Sequence, residues 1–263
     1  MADQLALVTG ASSGIGYNLA KVFAENGFDL IVSSNGDRLD KAANDFQSLG
    51  VHVTEVSADL ATYDGVEELW CAVEATGRSL DAAALNAGVG LGGLFYQTDL
   101  EKEINIIRLN VESTVHLAKH VVKQMVGRGQ GKILITASIA SEMVAPREAV
   151  YAASKAFDLS FAKSLRAELE DTGVTVTALQ PGPVDTDFFH RGEMDDTDAG
   201  TKGKKDSEPY DVAKQGFEAL MKGEKHVYSA SLKTKLEGAM MNLVPDAVKA
   251  KMHDDMAKPL SEK

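Results

Sequence analysis

A chain of 263 residues with 44% hydrophobic and 25% charged residues is long enough to bury a large core, and single α/β domains of this size are ordinary. Its formal net charge of −12 argues against nucleic acid or an anionic membrane as partner, because both demand clustered Lys and Arg and the sequence has no such cluster. No apolar run approaches the length of a bilayer span, and Met1-Ala2-Asp3-Gln4 offers no basic stretch ahead of an apolar one, so a cytoplasmic protein is expected.

In chain order, short apolar runs alternate with longer stretches of helical periodicity. This is the pattern of βαβ units in a doubly wound parallel sheet flanked by helices, an α/β fold. Strands are expected at Leu5–Thr9, Asp29–Ser33, His52–Val56, Leu80–Asn86, Lys132–Ser138, Thr175–Gln180 and Lys225–Ser229. Helices are expected near Gly14–Asn26, Arg38–Leu49, Asp64–Thr76, Glu101–Val126 and Tyr151–Asp171. No repeat or linker divides them, so residues 1–263 read as one domain. Asp187–Glu208 departs from the pattern: rich in Asp, Gly and Lys and without helical period until near Tyr210, it is expected to be a mobile substrate loop. Leu232, Leu236, Met240 and Leu243 form an apolar stripe at helical spacing, suited to packing on the core or a sister subunit.

The first chemical motif follows the first strand, where Thr9-Gly10-Ala11-Ser12-Ser13-Gly14-Ile15-Gly16 leads into a helix. Glycines at 10, 14 and 16 let the backbone turn sharply and bring amide donors and a helix N-terminus against a pyrophosphate. Further on, Tyr151 and Lys155 stand four residues apart on one helix face, so the ammonium can lie beside the phenol. A free phenol has a pKa of about 10; bringing it to about 7 takes roughly 4 kcal/mol of preferential stabilisation of the phenolate, within reach of a nearby cation in a partly desolvated site. Alone, a Tyr-x-x-x-Lys pair is no more than chance provides. Its weight comes from order: glycine turn, Leu85-Asn86-Ala87-Gly88 after a later strand, Asn110 in a helix, Ser138 ending another strand, then Tyr151 and Lys155.

In that order the motifs resemble the short-chain dehydrogenase/reductase family, from about Leu5 to Thr186. The resemblance implies a Rossmann-like fold and an NAD(P)-dependent oxidoreductase that interconverts a secondary alcohol and a ketone or aldehyde. It implies Tyr151 as general acid/base, Lys155 lowering its pKa and binding the nicotinamide ribose, and Ser138 orienting the reacting oxygen. Asn110, in Arg108-Leu109-Asn110-Val111, completes a tetrad by holding a water that relays protons through the lysine. Around the cofactor, the resemblance assigns Gly10, Ser12, Ser13, Gly14, Ile15 and Gly16 to the pyrophosphate, and Asp59 and Leu60 to the adenine ring. Asn86, Ala87 and Gly88 support the adenosine side, with Leu85 where a doubled asparagine is more usual. Pro181, Gly182 and Val184 close over the nicotinamide, and Thr186 bonds its carboxamide. A homodimer or homotetramer is implied as well.

Cofactor choice turns on the end of the second strand, where an acid would bond the ribose hydroxyls and repel a 2′-phosphate. The chain there runs Ile31-Val32-Ser33-Ser34-Asn35-Gly36-Asp37-Arg38, without an acid at the discriminating position. Ser34, Asn35 and Arg38 can donate to a phosphate, so NADP(H) is favoured and NAD(H) stays open. The substrate is expected to be a small, partly apolar alcohol or carbonyl compound, with Leu91, Phe95, Met143, Val144, Phe188 and Phe189 as candidate pocket residues. Two alternatives stay open: a cofactor-binding sensor or scaffold without turnover, and a dehydratase or epimerase using the same proton chemistry.

Cys71, within an apparently helical Leu69-Trp70-Cys71-Ala72-Val73, reads as a small core residue. Glu112, His116 and His120 share a helix face at four-residue steps, yet without a further ligand they read as a helix surface or subunit contact, and no metal is expected. Asp195-Asp196-Thr197-Asp198-Ala199-Gly200 is out of register for a calcium loop.

Overall fold

The computed structural model describes residues 4–184, 186–202, 208–229 and 244–262. Its strands are β1 (Leu5–Thr9), β2 (Asp29–Ser34), β3 (Val53–Ser57), β4 (Ala82–Leu85), β5 (Gly131–Thr136), β6 (Val174–Pro181) and β7 (His226–Ser229). They form one 7-stranded sheet in the order β3-β2-β1-β4-β5-β6-β7 with every pairing parallel. The direction of winding reverses between β1 and β4, which opens a crevice at the carboxyl ends of those strands, where α/β sheets bind ligands. The helices are α1 (Gly14–Glu25), α2 (Leu39–Gln47), α3 (Tyr63–Ala75), α4 (Leu100–Ile106), α5 (Ser113–Arg128), α6 (Ala149–Glu168), α7 (Phe188–Arg191), α8 (Asp198–Lys202), α9 (Pro209–Lys222) and α10 (Asp246–Ala257).

Both faces of the sheet's centre are covered, so β1, β4 and β5 are buried on both sides rather than alternating with exposed residues. In β1, Leu5 and Leu7 face a core that includes Leu69 and Val73 of α3, Leu117 and Val121 of α5 and Leu159 of α6. Ala6 and Val8 face the opposite core, with Leu19 and Phe23 of α1, Phe46 of α2 and Phe217 and Leu220 of α9. Phe23 anchors that second layer, its ring edge-on to Phe28 at 5.2 Å and to Phe217 at 5.1 Å.

The elements follow the expected order, and the differences lie at their ends. The fourth strand is shorter than Leu80–Asn86 because side chains take its terminal amides: Leu80 N donates to Gln124 Oε1 at 2.8 Å and Asn86 N to Thr9 Oγ1 at 2.9 Å. Likewise β5 stops before Ser138, which caps a 3-10 turn over Ile139–Glu142. The helix expected over Glu101–Val126 is interrupted: a π-helical stretch, Ile107–Glu112, separates α4 from α5. The segment expected to be a loop without regular structure carries α7 and α8 in its described part, and Met194 between them is buried. Cys71 is exposed, not in the core, because α3 turns Val66, Leu69, Trp70 and Val73 inward. The stripe of Leu232, Leu236, Met240 and Leu243 lies outside the described residues.

Candidate active site

The glycine turn builds the floor of the crevice. Gly10 holds φ at +68°, a left-handed conformation that suits glycine. A Cβ on Gly16 would stand 2.1 Å from the Gly10 carbonyl oxygen, so only a hydrogen there lets α1 start directly under the turn. Asn86 ties the neighbouring strand ends together: its Nδ2 donates to Thr9 O at 3.1 Å and its Oδ1 accepts from Thr136 Oγ1 at 3.1 Å. Thr9 Oγ1 in turn accepts from the amides of Asn86 at 2.9 Å and Ala87 at 3.0 Å. The Ser12 and Ser34 hydroxyls meet at 2.8 Å, which closes the turn against the end of β2.

One cleft is lined by Gly10, Ser12, Ser13, Gly14, Ile15, Gly16 and Ser34, by Asn86, Ala87 and Gly88, and by Ser138, Tyr151, Lys155, Pro181, Gly182, Val184 and Thr186. Residues separated by well over a hundred positions in sequence therefore meet. Asn35, Arg38, Asp59 and Leu60 do not line it. Asn35 and Arg38 are exposed beyond β2, with the Arg38 guanidinium paired to Asp187. Asp59 is exposed, its Oδ1 accepting from Ala61 N at 3.1 Å, and Leu60 is buried in the core beneath α3. Of the candidate apolar lining, Met143, Phe188 and Phe189 face the cleft, Leu91 is buried in the interior, and Phe95 and Val144 are exposed.

At the catalytic end, Ser138 is buried, with its Oγ accepting from Ala140 N at 3.1 Å and its amide donating to Ser141 Oγ at 3.3 Å. That capping box fixes the serine just past β5. The Tyr151 ring lies against Phe188, centroids 5.1 Å apart. Its phenol is pushed well above the usual value, first by burial and then by the Glu148 and Asp158 carboxylates, while a hydrogen bond with Ser138 works the other way. Lys155, expected to depress that value, is engaged by other partners. Lys155 Nζ donates to Thr136 O at 2.9 Å and to Asp158 Oδ2 at 3.0 Å, so a buried carboxylate neutralises the cation beside the phenol.

Asn110 is wholly buried in the π-helical stretch. Its Oδ1 accepts from Val89 N at 2.9 Å, and its Nδ2 donates to Val89 O at 3.0 Å and Ser154 Oγ at 2.9 Å. Thr114 Oγ1 binds the Asn110 carbonyl at 2.7 Å, satisfying a group that the widened helix displaces. A Cβ at Gly88 would lie 3.2 Å from Asn110 Oδ1 and 3.3 Å from Lys155 Nζ, so both polar atoms border one point in the cleft wall.

Several groups escaped the sequence reading. Asp158 had a signal, an acid three residues beyond Lys155 and thus beside it on the helix. Arg191 had none: it reaches from α7 to the Ser13 hydroxyl in the glycine turn, with Asp187 between it and Arg38. Burial, more than the neighbouring Arg38, lowers the pKa of its guanidinium. Glu148 and His253 also line the cleft, His253 Nε2 standing 3.3 Å from Glu148 Oε2 and its Nδ1 donating to Pro146 O at 3.0 Å. Their separation along the chain leaves no pattern to read.

A glycine turn running from a parallel strand into a helix, facing a Ser, Tyr and Lys in one crevice, defines a nicotinamide-dependent dehydrogenase or reductase. The short chain dehydrogenase family model matches residues 4–196, and the chain belongs to that family. It is 34% identical over 71% of its length to Oxidoreductase UcpA of Salmonella typhimurium, covering 71% of that protein. It is 35% identical to 1-deoxy-11-beta-hydroxypentalenate dehydrogenase of Streptomyces exfoliatus, over 86% of this chain and 82% of the other. A short-chain dehydrogenase from Sphingobium yanoikuyae, solved in complex with NADPH, superposes with a TM-score of 0.78 at 28% identity, covering 91% of this chain and 94% of that one. The protein is thus an NAD(P)-dependent dehydrogenase/reductase. Among the described residues, no helix is long and apolar enough to cross a membrane.

Proposed function

We propose that the enzyme reduces a ketone or aldehyde to the alcohol, and catalyses the reverse, with NADP(H) as preferred partner. The observation that carries this reading is the meeting of Ser138, Tyr151 and Lys155 with the glycine turn in one cleft. The cradle fits a dinucleotide: the close approach at Gly16 brings the start of α1, with its amide donors, to the place a pyrophosphate needs. A bound nicotinamide supplies or accepts the hydride.

The remaining steps belong to this chain. The Ser138 Oγ and the Tyr151 hydroxyl hold the carbonyl oxygen, and Tyr151 gives it a proton as negative charge develops there. Reduction requires the protonated phenol, a form that the neighbouring Glu148 and Asp158 carboxylates favour. Lys155 returns a proton to Tyr151 and is resupplied from solvent through a water that Asn110 helps hold beside Gly88. Met143, Phe188 and Phe189 offer an apolar substrate a surface, and Glu148 and His253 add a polar end to the pocket.

Preference for NADP(H) is supported by the Ser34 hydroxyl at the cleft edge, by Arg191, which lines the cleft beside Ser13, and by the absence of an acid at the end of β2. A panel of ketones, aldehydes and secondary alcohols, followed by absorbance of the reduced nicotinamide with each cofactor, tests the proposal. Net oxidation of NADPH by a carbonyl compound, with weaker use of NADH, is expected. Cofactor binding without net oxidation or reduction across the panel would contradict the reading.

A further inference from the structure

The helix face that carries His116 and His120 acquires a carboxylate from another helix. Glu112 is not that carboxylate: Glu67 of α3 reaches across to α5, its Oε1 standing 2.6 Å from His116 Nε2 and 2.9 Å from His120 Nε2. The ligand-capable atoms of the three side chains all lie within 4.8 Å of one another. None of the three residues lines the active-site cleft.

The two imidazoles are held in place before any ligand arrives. Tyr63 stacks on His116 at 4.5 Å, and Trp70 stacks on His120 at 5.0 Å with 18° between the planes. Trp70 is fixed in turn, its Nε1 donating to Glu74 Oε1 at 3.1 Å. The side chains of His116, His120 and Glu67 are 17%, 26% and 34% exposed, so the cluster is open to solvent on one side and supported on the other.

We infer that Glu67, His116 and His120 form a site for a divalent transition ion of zinc type, independent of the reaction centre. Histidines four residues apart on a helix can bind one ion, and a third donor from a facing element with water in the fourth position gives an open tetrahedral set. Imidazole favours zinc, copper or nickel over calcium and magnesium. Bonds of about 2.0–2.2 Å would place ligand atoms about 3.3 Å apart. From the separations present, each Nε2 needs to lie only about half an ångström farther from Glu67 Oε1, the two imidazoles already stand within 4.8 Å of one another, and the half-exposed Glu67 can swing to follow. An ion there would clamp α3 to α5, the helix that continues directly from the Asn110 stretch.

The test is titration of tag-free, chelator-washed full-length protein with Co²⁺, read by its visible absorption, followed by displacement with Zn²⁺. Glu67→Gln and His120→Asn serve as variants, with NADPH binding as evidence that each is folded. One equivalent of tetrahedral-type Co²⁺, displaced by Zn²⁺ and weakened more than about tenfold in either variant, is the expected result. Zinc should also raise the unfolding temperature of the native protein but not of the variants. No saturable binding, or binding unchanged by both substitutions, would overturn the site and leave the cluster a hydrogen-bonded contact between helices.

Discussion

Asp158, only 1% exposed and three residues beyond Lys155, sets the charge around Tyr151, with one oxygen on the lysine and the other, Oδ1, making no hydrogen bond. Its negative charge adds to burial and to Glu148 in favouring the protonated phenol, against the hydrogen bond from Ser138. Replacing it with asparagine removes that charge and frees Lys155 to act on Tyr151, and both changes lower the phenol pKa. Reduction, which uses the phenol, loses rate as pH rises through that pKa; oxidation, which uses the phenolate, gains. In Asp158→Asn both limbs should therefore move to lower pH. Unmoved limbs in an active variant would show that Asp158 has no hold on Tyr151. Tyr151, Lys155 and Ser138 could be singled out because they follow the glycine turn and Asn86-Ala87-Gly88 in an order that chance does not supply, unlike the Tyr-x-x-x-Lys spacing alone. The partner of Lys155 was overlooked because the sequence was read for the cation and not for what neutralises it.

Among the elements, α7 and α8 were hidden because each is too short for a hydrophobic period to register. Tertiary contacts hold them. Gly92 N donates to Gly192 O at 2.8 Å, Phe188 packs so tightly on Gly90 that a Cβ there would fall 2.6 Å from its ring, and Arg191 reaches Ser13. The π-helical stretch was hidden for a related reason: composition registers the helix but not the one displaced hydrogen-bond register that Asn110 occupies. Since α7 carries Phe188, Phe189 and Arg191 into the cleft, ligands occupying the cleft add contacts to the segment. Hydrogen exchange over residues 187–202 should slow markedly in a complex with NADPH and a substrate or inert analogue relative to the free protein. Equal exchange in the saturated complex would show that the segment is not a lid.

Across the whole molecule, the alternation of short apolar runs with helical stretches was enough to read a doubly wound parallel sheet, because the central strands are buried on both faces. Strand order was a different matter: β1 pairs with β2 and β4 through crossovers that no local pattern encodes. That order creates the crevice, and the crevice brings a turn near residue 10 to a tyrosine at 151. In the proposed mechanism Tyr151 exchanges a proton with the substrate oxygen in a site whose cofactor grip is built elsewhere. That exchange is tested most directly by comparing Tyr151→Phe with the native enzyme on a carbonyl substrate the native enzyme reduces, measuring both turnover and NADPH affinity. Turnover should fall by about a hundredfold or more with cofactor affinity essentially unchanged; near-native turnover in the variant would remove Tyr151 from the proton transfer.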